Sequence, residues 1–84
     1  MTDANTNKKT AAEAYADHML DVAVMLDWFE LALDAHNKAA EAEPNNWNFV
    51  GDLGEVRRLL KQTLAFLSAS EEAQIEKSLQ ELRK

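Results

Sequence analysis

Few residues in this chain are of types that could do covalent or metal chemistry, and their spacing decides what they can do. His18 and His36 sit five full α-helical turns apart, so they point the same way but lie roughly 27 Å from each other along a helix. That distance excludes a metal shared by the pair within one chain. No Glu-x-x-His or His-x-x-x-His spacing occurs to suggest a di-iron site of the helical-bundle type. The two histidines are therefore expected at the edge of a helix seam, each bonded to a neighbour, with Glu72 opposite His18 in an antiparallel hairpin.

Carboxylates are more numerous. Asp27, Glu30, Asp34 and Glu41 fall along one side of a helix. Acid–base catalysis needs two carboxyls in unlike environments that split their proton affinities, and one solvated strip does not supply that. There is no Asp-x-Asp-x-Asp-Gly loop for calcium. Cysteine is absent, as are a Gly-rich phosphate loop and a Ser or Thr placed beside a His. The expectation is that the chain is not an enzyme and has no catalytic residue, no metal site and no cofactor. Its function must then be binding.

Charge narrows the choice of partner. The formal net charge is −6, and the first 44 residues carry all of it, with nine acids against three bases, while the remainder holds six of each. A single-sign acidic half repels nucleic-acid phosphates and anionic lipid, so direct binding to either is not expected. The longest apolar run, Val22 to Leu26, is far short of the roughly 20 residues that span a bilayer. Glu13 and Asp17 interrupt the apolar stretch that a signal peptide would need after Lys8 and Lys9. A cytoplasmic location is expected.

Positioning these residues falls to helices. Residues 1–9 read as a disordered tail and residues 10–84 as a single helical domain. Thr10 followed by Glu13 forms a capping box, and no Gly or Pro then occurs before Pro44. Pro44-Asn45-Asn46 ends that helix. A second starts at Asn45 or Asn46, or else at the Asp52-Leu-Gly-Glu55 box, and runs to about Leu67. Phe49, Leu53, Val56, Leu60, Thr63 and Leu67 give it a 4-3-4-3-4 seam for a neighbouring helix. Ser68-Ala-Ser-Glu71 reads as a further capping box before a short helix carrying Ile75, Leu79 and Leu82. A break near Ser68 to Ser70 is favoured over a continuous second arm. Arg57, Arg58 and Lys61 are expected to reach Glu30 and Asp34 across the hairpin.

The first helix carries more apolar surface than a hairpin uses. One stripe, including Val22, Met25, Phe29 and Leu33, runs its whole length. A second stripe, made of Leu20, Val24, Trp28, Leu31 and Ala35, lies more than 90° away on a 100°-per-residue wheel. Leaving the large residues of that second stripe in water forgoes roughly 1.5–3 kcal/mol each, so another chain or the C-terminal helix must cover it. A chain of 84 residues buries only roughly 60–65% of its unfolded surface and has no disulfide or metal staple, which favours a second chain. The fold class expected is all-α: a long antiparallel helical hairpin with a short C-terminal helix, two copies forming a dimeric four-helix-type bundle. Trp47, Phe49, Gly51 and Gly54 form a second candidate contact, with aromatics to stack and glycines that admit a close backbone.

These features favour a small acidic module for protein–protein interaction, an adaptor or regulator working as a homodimer. The alternative is an acidic inhibitor that imitates nucleic acid and blocks a protein that binds it.

Overall fold

The computed structural model describes residues 9–83. Among them the chain forms three α-helices and no strand: α1, Ala11–Ala42, α2, Trp47–Ser68, and α3, Glu72–Leu82. It divides after Ala42 into two units. The first contains α1, and the second contains α2 and α3. The tail expected at residues 1–9 lies outside the described residues except for Lys9, which pairs with Asp17 on α1.

Local chemistry explains the ends of α1. The Thr10 N–H donates to Glu13 Oε1 at 2.9 Å, and the Glu13 N–H donates to Thr10 Oγ1 at 3.1 Å. This is the reciprocal capping box, and it occupies two of the four backbone donors that a helix start leaves over. From there α1 runs for 32 residues without Gly or Pro. It stops at Ala42 because Glu43 precedes Pro44, and the proline ring disfavours helical backbone at that position.

The second unit begins with a tight turn, in which the Asn46 N–H donates to the Glu43 carbonyl at 3.0 Å. Asn46 is the N-cap of α2, its side-chain oxygen accepting from the Asn48 N–H at 3.0 Å. Of the two starts open to the sequence, α2 thus takes the earlier, and the Asp52–Glu55 segment is helix interior. At its other end α2 stops at Ala69, which adopts the left-handed conformation (φ 57°, ψ 32°). The Ser70 N–H closes the motif by donating to the Ala65 carbonyl at 3.0 Å. The chain therefore breaks at residues 69–71, and α3 folds back along α2.

The Ser68–Glu71 capping box expected from the sequence does not form. Ser68 is still helical, and its hydroxyl donates back to the Leu64 carbonyl at 2.7 Å. Glu71 itself is the N-cap of α3 and makes no side-chain cap bond. A serine hydroxyl one turn from a carbonyl of its own helix satisfies itself locally, so it is lost as a cap for the next helix.

Packing within the second unit uses one side of each helix. Ile75 and Leu79 on α3 are partly buried, as are Val56, Arg57, Lys61 and Ala65 on α2. Arg57, Lys61 and Ala65 lie within about 80° of one another on the α2 wheel and mark the side that meets α3. The predicted seam lies mostly on a different side, with only its Phe49 and Val56 partly covered. Its Leu53, Leu60 and Leu67 remain exposed, next to Leu59, Leu64 and Phe66, so an apolar arc of α2 is left uncovered by α3.

Candidate functional site: the uncovered stripe of α1

The geometry of α1 brings Leu20, Val24, Trp28, Leu31 and Ala35 onto one strip, as successive steps of three or four residues require. Leu20 is 65% exposed, Trp28 64% and Leu31 71%, while Val24 is partly covered. The longer stripe is open as well: Tyr15, Val22, Met25 and Leu26 are all exposed. Among the described residues no side chain of any kind is buried. Scattered exposed leucines are ordinary on a monomer, whereas these residues are contiguous along α1.

Carboxylates border the strip. Asp27, Glu30, Asp34 and Glu41 are exposed and run down one side of α1. Asp34 pairs with Lys38 one turn later at 3.3 Å, an exposed contact that contributes little to stability. At the helix start, Lys9, Ala14, Asp17, His18, Leu20 and Asp21 line a shallow open depression. The hydrogen bond to Asp17, together with its negative charge, raises the pKa of Lys9. His18 is exposed and His36 partly covered. Among the described residues no group of three or more His, Cys, Asp or Glu side chains could hold a metal ion. No helix there is long and apolar enough to cross a membrane.

The segment that opens α2 is the second candidate. Trp47 is 78% exposed and Phe49 partly covered. A Cβ added at Gly51 or Gly54 would meet nothing within 4 Å, so neither glycine is required by a close approach among the described residues.

The basic cluster takes partners that spacing within one helix does not reveal. Arg57 donates to Glu76 on α3 at 2.8 Å, and Lys61 donates to the other oxygen of the same carboxylate at 3.1 Å. Gln80 adds a third donor at 3.1 Å. Arg58 instead forks onto Glu55 of its own helix at 2.7 and 3.0 Å. These contacts replace the pairing with Glu30 and Asp34 expected from the sequence. The hydrogen bond from Arg57, then that from Lys61, holds the Glu76 carboxyl far below its ordinary range, at about 2. The reciprocal hydrogen bond raises Arg57. Glu55 is likewise lowered and Arg58 raised by their mutual bond. Sequence reasoning missed Glu76, although one signal was present: it borders the Ile75–Leu79 side of α3, and Arg57 and Lys61 stand one turn apart.

No family model, curated protein or solved structure matches the chain. The surfaces themselves therefore carry the functional reading. Among the described residues they comprise two exposed apolar strips on one acidic helix.

Proposed function

We propose that this chain is a small acidic helical module for protein–protein interaction, an adaptor or regulator that works as a homodimer. In this reading α1 and α2 form a long antiparallel hairpin, and two hairpins assemble into a four-helix-type bundle. The observation that carries it is the exposure of Trp28 and Leu31 in the middle of an acid-bordered helix. A further observation supports a second chain over the C-terminal helix as the cover: the apolar side of α3, Ile75 and Leu79, is already turned to α2. The test is sizing with light scattering and sedimentation at micromolar concentrations. A dimer is expected, and a monomer at every concentration would overturn the homodimer.

A second reading is favoured by the run of exposed carboxylates Asp27, Glu30, Asp34 and Glu41. A stiff helix carrying them could occupy a phosphate-binding groove as an acidic inhibitor or nucleic-acid mimic. Ionic strength separates the two. Capture through carboxylates weakens steeply with salt, whereas contact through Trp28 and Leu31 does not.

A further inference from the structure

The turn that folds α3 back onto α2 is short and poorly served by its residues. We propose that the two copies of the homodimer exchange α3. Residues 69–71 straighten into helix, and each α3 packs on α2 of the other copy. The proposal rests on the homodimer reading and adds which contacts pass between the copies.

The turn itself supplies the first argument. Ala69 holds left-handed backbone (φ 57°), a conformation that penalises a Cβ, although alanine is the residue best suited to a helix. Glu71, the N-cap of α3, makes no side-chain cap bond, so it satisfies none of the backbone donors that a helix start leaves over. No Gly or Pro follows Gly54, and one helix from Trp47 to Leu82 meets no breaker. Straightening residues 69–71 relieves the left-handed residue and joins the end of α2 to the start of α3 through helical hydrogen bonds. A short, strained hinge of this kind favours exchange of the element beyond it.

The positions of the two faces supply the second. On a 100°-per-residue wheel carried straight through the turn, Arg57, Lys61 and Ala65 of α2 span about 80°. Ile75, Glu76 and Leu79 of α3 fall within that arc or about 20° beyond it. The face that receives α3 and the face of α3 that is received would thus line one side of a straight helix. Two such helices, antiparallel about a two-fold axis near Ser68, each offer that side to the other, an isologous contact. Arg57 and Lys61 of one copy would hold Glu76 of the other as they hold it in the closed chain, at 2.8 and 3.1 Å. The α2–α3 contacts are therefore remade between copies while the turn is relieved. The closed turn is the monomer's form and the straight helix the dimer's.

The experiment mixes two charge-reversed full-length chains, Arg57→Glu with Lys61→Glu in one and Glu76→Lys in the other. Alone, each chain sets like charges against one another at this contact. Together they restore opposite charges at both contacts, provided that each α3 lies on α2 of the other chain. Native mass spectrometry counts the heterodimers in about 0.15 M ammonium acetate, where screening over about 8 Å confines the effect to charges in contact. An excess of heterodimer over the random mixture of about tenfold is expected. A random mixture of two helical chains overturns the exchange. Unaltered chains in two isotope labellings decide the matter if either variant fails to fold. Nuclear Overhauser contacts from the Ile75 and Leu79 methyl groups to α2 are expected between copies, and a dimer that shows them only within one copy overturns the proposal. Either result against it leaves the homodimer standing. Only a wild-type chain that stays monomeric removes both.

Discussion

Arg57 and Glu76 meet at 2.8 Å across 19 residues of sequence, and through that contact α2 and α3 are registered against one another. Lys61 takes the second oxygen of the carboxylate at 3.1 Å. With so little apolar burial between the two helices, this shared carboxylate fixes which turn of α3 faces which turn of α2, a matter of orientation more than of raw stability.

Acid should loosen this contact in a defined window. The folded carboxyl of Glu76 titrates at about 2 against an ordinary 4.5. Because the folded value is the lower one, the contribution is complete above 4.5 and is lost as pH falls from there towards 2. The expected outcome is that amide protection in α3 declines over that interval while α1 is unaffected by this step. Glu76→Gln should start from the loosened state and show no such decline. A Glu76 side-chain resonance titrating near 4.5 would show that the clamp is not formed in solution.

Ala69 should be improvable. It is the one non-glycine residue with positive φ among those described, and a Cβ in left-handed backbone costs roughly 1–2 kcal/mol. Ala69→Gly is expected to stabilise the α2–α3 turn by about 1 kcal/mol once the greater freedom of unfolded glycine is counted. Ala69→Val, branched at Cβ, should destabilise it. Thermal denaturation of the two variants beside the parent checks both signs, and a loss of stability in Ala69→Gly would be incompatible with this cap.

What could be read from the sequence follows the range of each interaction. Thr10 with Glu13, the stop before Pro44 and the Asn46 cap depend on residues within one turn of each other, and all three are present. The break at residues 69–71 was legible from two serines, although its mechanism was not. Ser68 turns inward to Leu64, and Ala69, a residue with no turn signature, bends the chain. Glu76 was out of reach because its partners lie on another helix, and nothing in a single wheel says which face a neighbour will choose. The same limit separated the seam of Leu53, Leu60 and Leu67, correctly marked as apolar, from the side that α3 covers.

Gly51 and Gly54 allow helix propensity and partner contact to be told apart. Each lies inside α2 with open space where a Cβ would stand. Replacing either by alanine in a helix interior should therefore stabilise by about 0.8–1 kcal/mol. If Gly54→Ala raises the melting temperature and dimerisation is unchanged, the glycine has no role in self-association. If it weakens dimerisation while raising helix stability, a backbone of the second copy approaches there.

The final prediction concerns Trp28, the aromatic residue of the apolar stripe. The chain has only two tryptophans, Trp28 and Trp47, so Trp47→Phe leaves a single reporter in the middle of α1. An indole 64% exposed in the isolated chain should emit as a solvated ring at high dilution. As concentration rises through the dimerisation range, its emission is expected to shift to the blue, following the sedimentation midpoint. Trp28→Glu places a carboxylate where apolar atoms of another chain should sit, and burying it unpaired is costly enough to break the contact. That variant should remain helical by circular dichroism and sediment as a monomer, as should the milder Leu31→Glu. If it dimerises with the affinity of the parent, or if the Trp28 reporter stays water-like in a sample shown to be dimeric, then the copies meet elsewhere. The stripe would then be left for a different protein.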